Sequence, residues 1–533
     1  MHFSKDEISL LSKYLYSDFP LGPINASDID DVDVKGLLFD SKNELYHQII
    51  KRPSILIGRK GSGKTAFLQK LTDGKNYTIS IEIKTSEAFV QIVRSIEDAI
   101  KQDGFIFTES VADFWDFLFW VAIMAKIKEI YPNHIESSSV IERVLSKFNI
   151  TTNLSTQSVL RSVIDSISSR TKNMGIGVIT DVIARELESE KTSLREIKQN
   201  VNAVLKANKS RAIIVLDSLD DYELDINVVT KTLSGLLMSV GRFNIVRGRP
   251  EIRLCLPSEI YHSFESISRN KIKDFSQSLI LQWTAGELIS LVMFRYSIYL
   301  NVYRDELNIS NDISRSSCNI DESDEAKELF RLIFPGKVSN KANLQEGTMP
   351  YILRHTQLLP RQIIKIVNEI VKINTQAGHV DGVVRPCSVK KGVEAVEQGL
   401  WKEVCSAFKF IYPRAEEVVS KIVPELPLSF SDSTLSQVYV KHAKAALKDI
   451  DMDYHDFKRM LIEIGCIGVV IKESEKYIEG VFEYTMPDTL NPSTEDSLCL
   501  HPMFCGCIMP NGNLEKVVYP YGAELDSNDY RDL

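Results

Sequence analysis

The sequence predicts an α/β fold, in which helices cover a parallel β-sheet. Three observations indicate this fold: a glycine-rich loop follows a short apolar run, a later apolar run ends in an aspartate, and helical patterns separate the apolar runs. Strands that alternate with helices are typical of doubly wound α/β domains. We therefore expect a parallel sheet, with a large helical insertion, a helical lid and a C-terminal winged-helix domain along the rest of the chain.

Five apolar runs are the candidate strands of the sheet. In chain order they occupy residues 54–57, 77–84, 211–217, 252–257 and 278–283. The run at 211–217 is almost continuously apolar, which is typical of a strand buried on both faces of a parallel sheet. Residues 85–210 are mainly helical in period, so the sequence predicts a large helical insertion between the second and third strands.

The second half of the chain is predicted to be mainly helical. Residues 284–388 are expected to form the lid, within which the polar stretch 309–325 is expected to be a flexible loop or linker. A helix at 457–465 is followed by two strand patterns, which predicts a winged-helix domain. The predicted domains are a core at 1–283 with its insertion at about 85–210, a lid at 284–388 and a winged-helix-like domain at 389–533.

Length and composition exclude several classes of protein. The 533 residues correspond to roughly three or four domains of about 150 residues each. With 44% hydrophobic and 25% charged residues, the chain is neither disordered nor fibrous. A net charge of −9 argues against a polycation that coats nucleic acid, but leaves a local basic face open.

Cysteine usage and hydropathy indicate the compartment. The eight cysteines are sparse and irregularly spaced, as expected in a reducing compartment. The N-terminal residues include acidic side chains and no uninterrupted apolar core, so no signal peptide is expected. The longest apolar stretch, at 114–127, is shorter than the ~20 residues of a membrane span. The sequence therefore predicts a cytoplasmic protein with no membrane segment.

The glycine-rich loop matches the pattern G-x-x-x-x-G-K-[ST] from Gly58 to Thr65. Its glycines allow backbone N–H groups to face phosphate oxygens, and the following helix adds a favourable dipole. Lys64 is expected to reach the β- and γ-phosphates of ATP, and Thr65 to ligate Mg²⁺. The adjacent Arg59 and Lys60 are expected to face phosphate or solvent. The predicted nucleotide-binding residues are Gly58, Arg59, Lys60, Gly61, Ser62, Gly63, Lys64, Thr65 and Ala66.

A P-loop of this kind needs an acidic partner at the end of a buried strand. Asp217 ends such a strand and is expected to bind Mg²⁺ through the coordination shell of the ion. Asp220 and Asp221 follow closely, and one of them is expected to polarise the attacking water, since no glutamate directly follows Asp217. The alternative interpretation is a strand end with a solvated acidic loop.

Arg361 is the candidate for stabilising charge on the γ-phosphate, because it follows a proline at a helix start. The alternative interpretation is an arginine on a helix surface, and Arg354 is the second candidate for the role. Ser258 directly follows the fourth strand and is a candidate for a polar side chain that senses the γ-phosphate.

A group of cysteines and one histidine near the C-terminus is a candidate metal site. The group consists of Cys499, His501, Cys505 and Cys507. Its spacing differs from the paired C-x₂-C pattern of tetrahedral zinc sites, so we expect buried apolar cysteines instead.

These motifs together resemble those of the bacterial AAA+/STAND-type P-loop ATPases, in particular the stand-alone ATPases of anti-phage defence loci. The resemblance rests on GRKGSGKTAFLQKL, IIVLDSLDD and HTQLLPRQII, and the C-terminal strand patterns are similar to the winged-helix end of those proteins. It spans roughly residues 30–510 and implies an ATP-binding core, a helical lid with a sensor arginine at Arg361, and a winged helix. The absence of a glutamate after Asp217 departs from conventional AAA+ hydrolases and implies slow or partner-stimulated turnover.

Two functions follow as expectations. The first is a nucleotide-dependent switch that controls self-association or a separate effector protein. The second is an initiator-like ATPase that binds DNA through the C-terminal domain. A small-molecule kinase is disfavoured, because no second-substrate signature is visible. The basic residues considered for the DNA-binding face are Lys441, Lys444, Lys448, Lys458 and Arg459.

Overall fold

The structure is a computed structural model of the chain. It describes residues 3–40, 44–50, 54–72, 77–84, 105–135, 139–171, 177–217, 226–244, 250–265, 278–318, 323–341, 343–486, 490–508 and 516–520.

The chain divides into two compact units. Unit 1 comprises Met1–Asn43, Arg59–Gly63 and Gln282–Leu533, and unit 2 comprises Glu44–Gly58 and Lys64–Leu281. The N-terminal residues, which the predicted boundaries placed with the sheet, belong to unit 1 in this division, and the predicted boundaries stay a prediction.

Specific hydrogen bonds hold the N-terminal segment within unit 1. It contains helices α1 (Lys5–Leu11) and α2 (Val32–Leu38). Between them, the Leu21 amide donates to Asn368 Oδ1 at 2.8 Å, and Asn368 Nδ2 donates to the Gly22 carbonyl at 3.1 Å. Asn368 is buried, so these bonds satisfy an interior amide that no local sequence pattern indicates.

Unit 2 contains the predicted sheet. Its strands are β1 (Ile55–Gly58), β2 (Ile79–Lys84), β3 (Ala212–Asp217), β4 (Glu251–Pro257) and β5 (Ser278–Ile280). The strand order is β2-β3-β4-β1-β5, and every neighbouring pair is parallel. All side chains of β1 and β3 are buried, as their continuous apolar character predicts. The five predicted strands and the parallel sheet are confirmed.

Helices lie before, between and after these strands. They are α3 (Glu44–Ile50), α4 (Lys64–Leu71), α5 (Phe105–Ile130), α6 (Val140–Lys147), α7 (Thr156–Thr171), α8 (Gly177–Ser189), α9 (Leu194–Ala207), α10 (Ile226–Asn244) and α11 (Ser258–Glu265). Helices α5 to α9 form the predicted insertion between β2 and β3. The apolar α5 packs against α10, where the rings of Trp120 and Phe243 lie 4.9 Å apart between centroids. None of the described helices combines the length and apolar character that a bilayer crossing requires.

Unit 1 continues with the predicted helical region. Its elements are α12 (Ala285–Val302), α13 (Asn311–Cys318), α14 (Ser323–Ile333), β6 (Lys337–Ser339), β7 (Gln345–Gly347), α15 (Thr348–Leu353), α16 (Pro360–Gln376), α17 (Pro386–Ala407) and α18 (Ala415–Ile422). The prediction of a flexible loop or linker at 309–325 is wrong for the described residues, because they include α13. Ile313 and Ser317 are buried on α13, so a short amphipathic face outweighs the polar composition.

The C-terminal part of unit 1 is the predicted winged helix. Its helices are α19 (Asp432–Val438), α20 (Lys444–Leu447), α21 (Tyr454–Ile464) and α22 (Pro502–Ile508), with a π-helical turn at Tyr439–Ala443. Its strands are β8 (Ser429–Phe430), β9 (Ile467–Glu473), β10 (Tyr477–Val481), β11 (Leu498–Leu500) and β12 (Val517–Tyr519), in the order β12-β10-β9-β11-β8. The hairpin β9–β10 after α21 confirms the predicted winged-helix pattern. The sequence did not predict β12, which pairs with β10 and carries the buried Tyr519.

Candidate functional site

The phosphate loop connects β1 to α4 and depends on glycine. Gly61 and Gly63 have φ angles of +93° and +92°, a region that residues with a Cβ rarely adopt. Backbone turns of this kind orient successive N–H groups into a concavity that binds anions. A Cβ added to Gly61 would lie 3.0 Å from the Cβ of Arg361, so both the conformation and the available space require glycine.

The next two residues begin α4. Lys64 is 7% exposed, and its Nζ donates to the Gly58 carbonyl at 2.7 Å. This bond holds the ammonium group against the first carbonyl of the loop. Lys64 and Thr65 lie in the first turn of α4, where backbone N–H groups have no acceptor within the helix. This arrangement favours a negatively charged ligand.

Asp217 lies at the same edge of the sheet as the loop. Leu216 pairs with Leu254 of β4, which pairs in turn with Ile55 of β1. Asp217 is the next residue and the last of β3, and it is 7% exposed. Because the carboxyl ends of parallel strands share one edge, Asp217 and Gly58 lie at this edge with β4 between them.

Asp220 and Asp221 lie outside the described residues. The choice between them as the residue that polarises water therefore stays a prediction. Ser258, the other candidate near a strand end, is the first residue of α11 and directly follows β4.

The loop also has contacts within unit 1 that sequence reasoning did not predict. Trp283 is buried, and its indole Nε1 donates to the Ser62 carbonyl at 2.8 Å. The Arg361 amide donates to the Gly61 carbonyl at 3.3 Å. The hydroxyl of Ser62 is buried and has no hydrogen-bond partner in the described part of the chain. An orphaned buried hydroxyl in a loop of this turned geometry fits a site that is completed by a phosphate ligand.

Arg361 is brought to the loop, and Arg354 is not. Arg361 lies in the first turn of α16, and its side chain has no ion pair or hydrogen bond among the described residues. Arg354 instead donates to Glu346 through Nε at 3.1 Å and through a terminal nitrogen at 2.9 Å. Burial alone would lower the pKa of Arg354, but the Glu346 carboxylate outweighs it and raises that pKa above its ordinary value. Arg354 is therefore an interior ion-pair residue.

The prediction that the side chain of Arg59 faces phosphate or solvent is wrong. It is 8% exposed, and its guanidinium donates to Gln357, to Glu483 and to the carbonyls of Glu463 and Ile464. These partners lie far away in the sequence, so the local motif did not reveal them. The backbone of Arg59 remains part of the loop.

Three of the residues considered for zinc, Cys499, His501 and Cys505, are buried. The Met503 amide donates to His501 Nδ1 at 3.1 Å, and His501 Nε2 lies 2.7 Å from the Tyr484 hydroxyl. An acceptor at Nδ1 makes Nε2 the protonated nitrogen, so the imidazole is neutral. Burial raises the pKa of the Cys505 thiol to about 12. The described residues contain no group of three or more His, Cys, Asp or Glu side chains suited to a metal ion, and the side chain of Cys507 lies outside them.

The sheet and loop together define an α/β fold of the P-loop NTPase type. No known family model matches the chain, and no curated protein sequence is significantly similar to it. Among solved structures, the chain is similar to the ORC1 protein of Aeropyrum pernix, determined in complex with DNA. The two share 13% identity, the match covers 82% of this chain and 90% of that chain, and the TM-score is 0.30. The similarity is distant.

Proposed function

We propose that the protein is a regulatory switch ATPase, which binds ATP with Mg²⁺ and hydrolyses it slowly or in response to a partner. The observation that carries the proposal is the glycine-dependent turn at Gly61 and Gly63, directly followed by the buried Lys64. A turn of this form before a helix N-terminus is an anion site suited to nucleotide phosphates.

Each residue of the site has a distinct part in this proposal. The loop amides and Lys64 bind the phosphates and orient the γ-phosphoryl group for in-line attack by water. Thr65 and Asp217 are the residues that would hold Mg²⁺. When bound, the ion would neutralise part of the phosphate charge. Asp220 or Asp221 orients the attacking water, and Arg361 stabilises charge on the γ-phosphate.

A switch function is supported by the attachment of the loop. Arg59–Gly63 belong to unit 1, together with Trp283 and Arg361. Trp283 and Arg361 hold two carbonyls of the loop by hydrogen bonds. A change of loop geometry on nucleotide binding would therefore alter contacts in the helical half of the chain, as a conformational switch requires.

The experiment that tests the proposal compares the parent with Lys64→Ala. Binding of a fluorescent ATP analogue with Mg²⁺ and release of phosphate are measured, together with mass by size-exclusion chromatography and light scattering. We expect the parent to bind ATP and to change mass between the apo, ADP and non-hydrolysable ATP states. Lys64→Ala loses both properties, whereas Lys206→Ala, a matched change on the exposed face of α9, keeps them. Equal nucleotide binding by the parent and Lys64→Ala would refute the proposal.

The biological setting that we propose is bacterial anti-phage defence, with the switch acting on a separate effector protein. This extension rests on the sequence resemblance to stand-alone ATPases of defence loci. Its test is a phage challenge of cells that carry the gene with its natural neighbours. Protection that disappears with Lys64→Ala supports the extension, and equal plaque counts with and without the gene contradict it.

A second candidate function, DNA binding by the winged helix, is favoured by one observation. Lys441, Lys444 and Lys448 are exposed, and they lie close together in sequence on three consecutive helical segments, the π-helical turn Tyr439–Ala443, α20 and the 3₁₀ turn Lys448–Ile450. Of the other two predicted residues, Lys458 is buried and pairs with Asp432 at 2.7 Å, whereas Arg459 stays exposed and pairs with Asp456 at 2.9 Å.

The salt dependence of DNA affinity tests this candidate. If the three exposed lysines contact phosphates, replacing all of them by alanine reduces the slope of log affinity against log salt by roughly 2.7, at about 0.9 per phosphate contact. An unchanged slope excludes this face, and the absence of binding by the parent excludes the candidate.

A further inference from the structure

The side chain of Arg59 joins the phosphate loop to the C-terminal winged helix. One terminal nitrogen donates to Gln357 Oε1 at 2.8 Å and to the Ile464 carbonyl at 3.4 Å. The other donates to the Glu463 carbonyl at 2.6 Å and to the Glu483 carboxylate. A motif residue that is expected at a solvated loop is thus enclosed by residues from the other end of the chain.

Two of these contacts lie at the carboxyl end of α21. The helix ends at Ile464, and Gly465 follows in the left-handed conformation with a φ of +76°. The last carbonyls of a helix have no N–H donor within the helix, and they carry the negative end of its dipole. The guanidinium of Arg59 satisfies the carbonyls of Glu463 and Ile464 there, so the loop provides the helix with a charged C-terminal cap.

Two aromatic rings and a carboxylate also surround the guanidinium. Its central carbon lies 5.4 Å from the ring centroid of Phe408 and 5.5 Å from that of Tyr484. Cation–π contacts of this kind strengthen when they are desolvated. The partner carboxylate of Glu483 is 13% exposed in its side chain. Removing either partner of a buried ion pair is strongly unfavourable, because the other charge remains buried.

A second connection runs through the segment before α16. Gln357 accepts from Arg59 and donates through Nε2 to the Ile464 carbonyl at 2.8 Å. The next residue, Leu358, has a φ of +52°, which is unusual for a leucine. Three residues further on, the Arg361 amide donates to the Gly61 carbonyl. The same segment therefore contacts the loop at Arg59 and at Gly61.

We propose that Arg59 is a positioning residue that makes the nucleotide affinity of the phosphate loop depend on the winged helix, through Glu483 and the end of α21. This inference rests on the proposed ATP-binding function. The contacts of Arg59 hold the loop in its turned shape before a ligand arrives, which lowers the ordering cost of binding. Nucleotide binding and the contact of Arg59 with the end of α21 are thermodynamically linked. Nucleotide in the loop must therefore also strengthen this contact.

The test uses Glu483→Gln, which keeps the shape of the partner and removes its charge. Its matched control is Glu475→Gln, the same change at an exposed position of the hairpin turn. Affinity for a fluorescent ATP analogue with Mg²⁺ is measured for both variants and the parent. Hydrogen exchange is followed at 59–63 and at the last turn of α21, with and without the analogue.

We expect Glu483→Gln to weaken nucleotide affinity by about threefold to tenfold, because the amide oxygen still accepts from Arg59 but a charge-assisted hydrogen bond is roughly twice as strong as a neutral one. Without nucleotide, its loop amides exchange faster than those of the parent. With nucleotide, the parent gains protection at the end of α21 and Glu483→Gln does not. Glu475→Gln behaves as the parent in all these measurements.

The outcomes separate this inference from the proposed function. A parent that binds no nucleotide overturns the proposed function, and the exchange of the loop amides without nucleotide then decides whether Glu483 positions the loop. A parent that binds nucleotide, beside a Glu483→Gln variant of equal affinity and equal exchange, overturns the inference alone. If Glu483→Gln does not fold, Arg59→Lys replaces it, because lysine keeps the charge but lacks the fork that reaches both the carboxylate and the carbonyls. Parent-like affinity and exchange in Arg59→Lys would likewise overturn the inference.

Discussion

Glu346 and Arg354 form a buried ion pair with two hydrogen bonds, of 3.1 and 2.9 Å. Asn340 and Tyr519 also donate to the Glu346 carboxylate, each at 2.9 Å. Burial alone would raise the pKa of Glu346, but Arg354 outweighs it and holds that pKa below its ordinary value. The pair connects β7 to the residue that follows α15 and, through Tyr519, to β12.

Loss of this carboxylate is expected to destabilise the fold. Glu346→Ala leaves Arg354 buried without its partner, at a cost of about 3–5 kcal/mol. The measurement is unfolding of the parent and the variant in urea. Glu328→Ala, an exposed residue of α14, is the control and is expected to change little. A Glu346→Ala variant as stable as the parent would show that the pair has no net stabilising effect.

Stability is expected to fall on mild acidification because of buried neutral histidines. Burial lowers the pKa of His501 well below its ordinary value, and burial and Arg354 lower that of His355. The unfolded chain therefore takes up these protons at higher pH than the folded chain. Their stabilising effect is complete above about pH 6.5 and is lost as the pH falls below that value, with a limiting slope of about 1.4 kcal/mol per pH unit for a histidine that stays neutral in the folded chain, as His501 does.

Thermal unfolding from pH 7.5 to pH 5 measures this dependence. His501→Gln is expected to flatten it in part, with the remaining slope due to His355. His455→Gln, at an exposed position of α21, keeps the dependence of the parent. A transition temperature that does not change across this range would contradict the assignment of neutral buried histidines.

Asp217→Asn is expected to separate nucleotide binding from hydrolysis. The amide keeps the size of the side chain but not the charge that attracts Mg²⁺. Nucleotide affinity stays near that of the parent, while the Mg²⁺ concentration for half-maximal phosphate release rises by about 10- to 100-fold. Titration of Mg²⁺ in a phosphate-release assay measures the shift. Parent-like Mg²⁺ dependence would exclude Asp217 from the metal site.

Gly61→Ala is expected to impair the loop beyond the effect of its backbone angle. The new Cβ meets Arg361 at 3.0 Å, whereas a Cβ at Gly378, which also has a positive φ, meets nothing within 4 Å. Both substitutions cost about 1–2 kcal/mol for the left-handed conformation. Only Gly61→Ala should also lose nucleotide affinity, measured with a fluorescent ATP analogue. Equal affinities of the two variants would show that contact with Arg361 does not shape the loop.

The parts of the fold that sequence predicted are those specified by local pattern. The runs that became β1 to β5 are apolar because both faces of a parallel sheet are buried. The glycine spacing of the loop likewise reflects local backbone geometry. By contrast, the partners of Arg59 and Asn368 lie hundreds of residues away, where only tertiary packing determines which side chains meet. The polar composition around Ile313 also concealed a short helix, since one buried face is sufficient to stabilise it against its neighbours.

The same limit applies to the candidate site. The motif predicted the residues of the loop and the strand end at Asp217, because both follow from chain-local chemistry. It did not predict that the side chain of Arg59 would face the winged helix, since the x positions of the motif are free to vary. The structure gives the positions of Lys64, Thr65, Asp217 and Arg361, but the roles assigned to them, and to Asp220 and Asp221, remain predictions.

The hydrogen bond from Trp283 to the Ser62 carbonyl gives the protein a built-in optical probe. Indole emission responds to changes in hydrogen bonding and in nearby charge, and this indole touches the backbone that is proposed to wrap the phosphates. The chain has four tryptophans, and the other three, Trp115, Trp120 and Trp401, lie outside the loop. A variant that keeps Trp283 as its single tryptophan would report occupancy of the loop in real time, without any label on the nucleotide.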